Sequence, residues 1–160
     1  MAADPGVELL GQVPVDVCFG HFLLIEPLFS DGRRPPQPMG LIEPSPGSIQ
    51  CRTGYAATEA LVSAAVCEAE PPGDLSFDDV VETSYWTESG RLGIADWRRR
   101  LVKTLPPLFD RAGWCRLRYH LRDSAGDGPV ECVIQAWPAK SVPPRTVKAT
   151  SKVGKFWHSR

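Results

Sequence analysis

The sequence predicts a mainly β protein: an antiparallel β-sandwich of about seven strands with one or two short helices. Apolar residues recur at every second position in several segments, which is typical of strands that bury one face. Turn-forming glycine, proline and small polar residues separate these segments at the spacing of sandwich folds. Helical spacing is confined to one short stretch. The chain has 160 residues, which suffices for a single domain of ordinary size.

The longest strand signal begins at Val13 and ends at Ile25. Alternate residues in this segment are apolar, and its second half is apolar on both parities, so both faces should be covered there. Gly20 permits a bulge or a close backbone approach. Residues 30–40 contain three prolines and two glycines and are therefore predicted to form an exposed loop.

Two hairpins, followed by a short helix or turn, are predicted in the middle of the chain. Residues 48–56 and 59–70 form the first hairpin, although the alanine-rich second segment also suits a helix. Residues 78–89 are rich in β-branched and aromatic side chains, and alternation restarts at residues 91–94, which indicates a second hairpin. Residues 95–110 show apolar residues near helical spacing until two prolines end the segment.

The C-terminal hairpin has the clearest alternation in the chain. Its strands are residues 113–123 and 130–138, and a glycine-containing acidic turn separates them. In the first strand, apolar side chains share one face, and three arginines and a histidine share the other. These two faces consist of Cys115, Leu117, Tyr119 and Leu121 and of Arg116, Arg118, His120 and Arg122.

Composition divides the chain into an N-terminal extension at residues 1–12, a β-sandwich domain at residues 13–138 and a flexible basic tail at residues 139–160. The formal net charge of −1 hides an asymmetry. All 19 acidic residues lie at or before Glu131, whereas six of the 18 basic residues follow it. The body therefore carries a charge of −7 and the tail one of +6. An acidic body suits a basic partner, because opposite charges accelerate association.

No complete catalytic or cofactor motif is present: the sequence lacks a P-loop, a GxSxG elbow and an HExxH helix. Without a secretory signal or an apolar segment of membrane-spanning length, we expect a cytoplasmic protein. The five cysteines lack close pairs and should stay reduced. Cys18 with His21, and Cys115 with His120, should point to opposite strand faces, which disfavours a metal site. We expect a non-enzymatic protein without a cofactor.

A protein partner is the leading interpretation of the charged residues in the body. An acidic group at the start of one predicted strand would contact a basic enzyme; it consists of Asp78, Asp79 and Glu82. The arginine stripe, defined as Arg116, Arg118 and Arg122, would present an electropositive row with about 7 Å between neighbours if its face is exposed. A charged solvent face gives the same pattern without any binding role.

Two alternative functions remain open at this point. A nucleic-acid accessory domain would use the arginine stripe and basic and aromatic residues of the tail, namely Lys148, Lys152, Lys155 and Trp157. A small-molecule or sugar site would use an aromatic pocket near His21, Trp86, Trp97 or Trp114. Tryptophans fill a core far more often than they line a ligand site.

The closing hairpin also carries a resemblance to known proteins. Residues 113–122 read GWCRLRYHLR and residues 133–138 read VIQAWP, similar to the GWxRxRVHARG and LLQxWP motifs of a group of small bacterial proteins. The long first strand and residues 41–47 and 89–92 are similar too, so the resemblance covers most of residues 13–138. The group resembles the competence protein J family, whose members inhibit a partner nuclease. The resemblance implies a β-sandwich that acts as an inhibitor or immunity protein against a nuclease or toxin.

Overall fold

The computed structural model describes residues 6–26, 40–123 and 128–158. Within these ranges the chain forms eleven strands in two sheets and one helix. The strands are β1 Val7–Asp16, β2 His21–Ile25, β3 Ile42–Ser45, β4 Ser48–Arg52, β5 Glu59–Cys67, β6 Asp79–Thr87, β7 Gly93–Ala95, β8 Leu101–Thr104, β9 Gly113–Arg122, β10 Val130–Pro138 and β11 Arg145–Ala149, and the helix is α1 Lys152–His158. The mainly β prediction is confirmed, but the predicted number of strands, about seven, is wrong.

The two sheets differ in size and connectivity. The six-stranded sheet has the order β1-β5-β10-β9-β6-β11, and the five-stranded sheet has the order β3-β4-β2-β7-β8. Strands β5 and β10 run parallel, with Ala60 beside Val130 and Val66 beside Ala136. The other paired strands in the described residues are antiparallel. The predicted wholly antiparallel arrangement is therefore wrong at this central pair.

One hydrophobic core connects the two sheets. Phe22 of β2 and Tyr119 of β9 meet edge to face, with ring centroids 6.0 Å apart. The Tyr119 hydroxyl donates a hydrogen bond of 2.8 Å to the backbone oxygen of Arg52 in β4, so this buried polar group is satisfied. Further buried core members from the two sheets are Leu24, Ile49, Cys51, Val62, Ile94, Leu117, Leu121, Cys132 and Ile134.

Several predicted hairpins place their two strands in different sheets. The segment from Val13 to Ile25 is divided between β1 and β2, because the chain turns at Gly20, whose φ is +80°. Strands β4 and β5 belong to different sheets, as do β6 and β7. The hairpins predicted at residues 48–70 and 78–94 are therefore wrong, although strands do form there. Turn residues indicate where a chain reverses without specifying which sheet receives the next strand.

For residues 95–110, where the sequence predicts a short helix or turn, the structure has a tight turn between β7 and β8 and no helix. The Asp96 carboxylate accepts hydrogen bonds from the backbone N–H groups of Arg98 and Arg100, at 2.9 and 3.0 Å. Such an aspartate turn competes with helix formation. The predicted C-terminal hairpin is confirmed by the pairing of β9 with β10, and the predicted loop at residues 30–40 lies outside the described residues except for Gly40.

The C-terminal segment contains regular structure. Strand β11 pairs with β6, with Arg145 beside Glu82 and Ala149 beside Asp79, and helix α1 follows it. The prediction of a flexible tail is therefore wrong for the described residues 139–158. A strand that extends a sheet is held mainly by backbone hydrogen bonds, and the low apolar content of this segment does not reveal them.

The outer face of the six-stranded sheet carries a buried polar layer, defined as Glu82, Arg116 and Arg118. The Glu82 carboxylate accepts from Arg118 Nε at 2.9 Å and from Arg116 Nε at 3.4 Å. All three residues are less than one-tenth exposed. The two guanidiniums consequently share one buried counter-charge.

Two chain segments cover this polar layer. Arg118 donates a hydrogen bond of 2.7 Å to the backbone oxygen of Pro71. Arg116 donates hydrogen bonds of 3.0 Å to the backbone oxygens of Val142 and Pro143. His120, on the same face, accepts 3.1 Å from the N–H of Asp74, and burial lowers the pKa of its imidazole. The arginine stripe is therefore covered by residues 70–77 and 142–143 over most of its length, and only its end approaches the solvent.

Replacing Glu82 with glutamine should destabilise the fold by about 3–5 kcal/mol, because Arg116 would lose its counter-charge and Arg118 would keep only Glu70, whose side chain is 63% exposed. Urea denaturation measures this change. Glu131→Gln is the matched control: Glu131 pairs with Arg122 at 2.8 Å, but both side chains are more than one-third exposed, so we expect a loss below about 1 kcal/mol. Equal losses in the two variants would contradict the buried pairing.

Candidate binding groove

An aromatic groove lies where helix α1 meets the turn between β1 and β2 and the loop after β4. Its cavity has a volume of about 540 Å³. Apolar and aromatic side chains line most of it, namely Phe19, Tyr55, Val153, Phe156 and Trp157. Cavities of this size with predominantly aromatic walls are typical of binding sites.

Three aromatic side chains of the groove are largely open to solvent. Tyr55 is 79% exposed, Phe19 56% and Phe156 50%. Exposed apolar surface gathered around one concavity is uncommon in monomeric proteins and commonly marks a surface that a partner covers. The groove is therefore the strongest candidate for recognition in this part of the molecule.

Two glycines give the groove its shape. At Gly54, which has a φ of +83°, a β-carbon would lie 2.5 Å from Cγ2 of Val153 in helix α1. At Gly20 a β-carbon would lie 3.2 Å from the Tyr55 ring. Both positions require the left-handed backbone that glycine adopts at low cost, and both allow a neighbouring side chain to approach the backbone closely.

Asp79, the fully buried first residue of β6, anchors helix α1. Its carboxylate accepts from the N–H groups of Thr150 and Ser151, at 2.9 and 3.1 Å, and from the Ser151 hydroxyl at 2.5 Å. The Ser151 oxygen in turn accepts 2.9 Å from the N–H of Gly154, which is an N-terminal cap. A β-carbon on Gly154 would lie 2.1 Å from Oδ1 of Asp79, so only glycine fits this position.

Arg52 forms the floor of the groove. Its guanidinium donates 2.5 Å to Glu43 and 2.6 Å to the backbone oxygen of Gly40, and it lies 4.0 Å from the centroid of the Trp157 ring. The paired charge and the cation–π contact hold the indole in place. Lys152 is the exposed cation of the lining.

His158, the last residue of helix α1, contacts the loop before β3. Its Nε2 accepts a 3.0 Å hydrogen bond from the N–H of Leu41, so this nitrogen carries no proton. The Nδ1 atom lies 3.1 Å from the Thr146 hydroxyl. Burial lowers the pKa of His158 below its ordinary value. The docked helix therefore contains a neutral imidazole.

The structure does not bring the predicted partner-binding residues onto one exposed surface. Asp79, Glu82 and Arg116 are buried under the C-terminal segment, and Arg118 is buried under residues 70–71. Asp78 is half-buried and accepts 2.9 Å from the N–H of Asp123. Arg122 is partly exposed but already donates to Glu131 and lies 4.1 Å from the Phe77 ring centroid.

The predicted nucleic-acid residues have separate environments. Lys148 donates 2.9 Å to the backbone oxygen of Leu75, and Trp157 packs against Arg52. Lys152 and Lys155 are exposed on helix α1. Lys152 and Trp157 therefore line the groove, whereas Lys155 faces solvent and Lys148 binds the loop at Leu75.

The aromatic residues singled out in the sequence occupy two regions. His21 lines the groove, and Trp97 packs edge to face on Phe19 with ring centroids 4.4 Å apart. Trp86 and Trp114 lie together elsewhere, in a second cavity. Sequence reasoning missed Tyr55 and Phe19 as site residues, because an isolated aromatic residue in a turn has no distinguishing pattern.

Cysteine and metal chemistry find no support in the described residues. All five thiols are free, and burial raises the pKa of Cys115 and Cys132 to about 12, which keeps them protonated and unreactive. No group of three His, Cys, Asp or Glu side chains in residues 6–26, 40–123 and 128–158 is arranged to hold a metal ion. No helix in these ranges has the length and apolar character needed to cross a membrane.

Comparison with known proteins identifies similar folds. No family model matches the sequence, and no curated protein does. ComJ from Bacillus subtilis, an inhibitor of the DNA degrading activity of NucA, has a similar crystal structure with a TM-score of 0.62 and 10% sequence identity. The match covers 83% of this chain and 98% of ComJ. The product of crocagin biosynthetic gene J is similar at 16% identity and a TM-score of 0.49, covering 84% of this chain and 99% of that one. The ComJ match shows a shared fold.

Replacing Gly154 with alanine should release helix α1 from the body, because the added β-carbon collides with the Asp79 carboxylate. Alanine raises intrinsic helix propensity, so a loss of docking cannot come from a weaker helix. Hydrogen exchange of residues 150–158 should accelerate at least about tenfold. Gly11→Ala is the control, since nothing lies within 4 Å of its β-carbon, and its exchange should be unchanged. Unaltered protection in Gly154→Ala would contradict the anchor.

The lowered pKa of His158 predicts a pH-dependent stability. Between its ordinary value of 6.5 and its lower folded value, the unfolded chain binds more protons, so the free energy of unfolding falls as the pH falls through this window. Urea denaturation at about pH 7.5 and 5.5 measures the loss. His158→Gln keeps an acceptor for Leu41 and should reduce the loss, while the buried His120 retains part of it. The same pH dependence in both proteins would contradict this role of His158.

Proposed function

We propose that this chain is a protein-binding inhibitor, that its partner is a nuclease, and that the aromatic groove contacts the partner. The similarity of fold to ComJ, which inhibits a DNA degrading activity, supports the class of function. In this proposal the two sheets pack as a β-sandwich that serves as a rigid scaffold. A nuclease that acts as a toxin falls in the same class of partner, and the chain would then be an immunity protein.

The exposed aromatic groove is the observation that carries the proposal. Aromatic residues at the centre of an interface contribute most of its binding energy, because they bury a large area at a small cost in side-chain entropy. Tyr55, from the loop after β4, and Phe156, from helix α1, are half or more exposed and line the same cavity. Acidic residues are absent from the described lining, so an apolar segment of the partner fits this surface best.

Inhibition of this kind needs no catalytic group. An inhibitor that covers an active-site surface acts by occupancy, and its affinity depends on shape and on desolvated anchor residues. The chain would thus act as a non-enzymatic protein.

Capture and activity measurements test the proposal. The tagged chain, expressed in cells of its source organism, should retain a protein that degrades plasmid DNA, and added chain should stop that degradation at a stoichiometric ratio. Tyr55→Ala should weaken inhibition about 30-fold, the loss expected of an aromatic anchor of about 2 kcal/mol. Leu75→Ala is the control, because Leu75 is 58% exposed and lies outside the groove.

Three outcomes would overturn the proposal. The captured protein degrades DNA equally well in the presence of the chain, or Tyr55→Ala inhibits as strongly as Leu75→Ala. In the third outcome the chain retains nucleic acid without a protein, and raised salt releases it, which is the behaviour of a nucleic-acid accessory domain that uses Lys152 and Lys155.

A further inference from the structure

A second cavity, the tryptophan pocket, lies between the turn joining β3 to β4 and the ends of β6 and β9. Its volume is about 340 Å³. Trp86 of β6 stands beside Trp114 of β9, with ring centroids 5.5 Å apart and planes at 71°. The two residues are 42% and 43% exposed, and Pro44 and Pro46 line the pocket with them.

The tryptophan pocket is accessible because β11, the strand next to β6 at the edge of the sheet, pairs with only the first half of β6. Strand β11 pairs with β6 only from Asp79 to Glu82. The Ser84 hydroxyl then donates to the backbone oxygen of Val142 and accepts from its N–H, both at 3.0 Å, so the chain stays close up to that point. In the described residues, no strand pairs with β6 on this side beyond Ser84. The indoles of the pocket therefore remain open to a guest.

In each of the three other tryptophans of the chain, an arginine guanidinium lies over the indole ring. The distances from Cζ to the ring centroid are 4.0 Å for Arg52 on Trp157, 4.7 Å for Arg98 on Trp97 and 4.8 Å for Arg118 on Trp137. Among the described residues, no cation lies over Trp86 or Trp114. These two rings thus present electron-rich faces that no arginine of the described chain occupies.

The charge of the pocket also favours a cation. Among the described residues that line it, Glu88 is the charged one, and it is exposed. No ion pair formed within the described part of the chain involves its carboxylate. Two indole rings with one carboxylate resemble the environment that binds guanidinium and ammonium groups, since both components attract positive charge.

We infer that the tryptophan pocket receives a cationic side chain, an arginine or lysine, from a protein partner. The identity of that partner as a nuclease rests on the proposed function. A nuclease holds the phosphate backbone of its substrate with such side chains. Glu88 would take the place of a phosphate, and the indoles would cover the apolar part of the cation.

Binding of small probes tests the inference without any partner. N-acetyl-arginine amide should shift the indole N–H signals of Trp86 and Trp114 in the NMR spectrum of the full chain. N-acetyl-citrulline amide has nearly the same shape but no charge, and it should bind at least about fivefold more weakly. Glu88→Gln should remove most of this preference, whereas Glu68→Gln, which changes an exposed acid outside the pocket, should leave it intact.

Equal binding of the two probes, or shifts confined to other tryptophans, would overturn the inference. Preferential binding of a neutral sugar such as glucose would overturn it too, because the pocket would then be a carbohydrate site. The captured partner separates the two proposals. If inhibition depends on Tyr55 but is unchanged in Glu88→Gln, the nuclease-inhibitor function stands and the role of the pocket is rejected. If the pocket binds the arginine probe selectively but no nuclease is inhibited, the pocket stands and the nuclease-inhibitor function is rejected.

Discussion

The Glu82 carboxylate, shared by Arg116 and Arg118, is the constraint on which much of the structure depends. A buried carboxylate between two guanidiniums allows charged side chains to face a covered surface instead of water. Arg116 then holds the backbone at Val142 and Pro143, which leads the chain into β11. The pairing of β11 places Thr150 and Ser151 over Asp79, and helix α1 and the aromatic groove follow from that placement.

The sequence predicts strands better than it predicts their partners. Alternation locates β5, β6, β9 and β10 because each buries one face in the common core. The same alternation cannot distinguish a strand face that is exposed to solvent from one that a loop covers. The face that carries the arginine stripe therefore has the pattern of an exposed face, although loops cover most of it. The division of β4 and β5 between sheets depends on long-range packing, which local turn signals do not encode.

The groove was only partly accessible to sequence reasoning. The sequence singles out Trp157 in the basic tail and His21 in the first strand, yet nothing in the sequence places them together. Their proximity depends on Asp79, a residue that looked like one member of an acidic turn. Ser151 three residues before Gly154 is a helix-cap signal, but the glycine in the first turn argues against a helix by propensity alone.

The parallel pairing of β5 with β10 also determines when the molecule becomes complete. Ala60 lies beside Val130, so the centre of the six-stranded sheet joins parts of the chain that are 70 residues apart. Closing such a distant contact is slow, and during synthesis β5 has only β1 as a neighbour until the last quarter of the chain is available. An unfinished chain therefore exposes the open edge of β5, and an unpaired edge of this kind is able to pair with another chain.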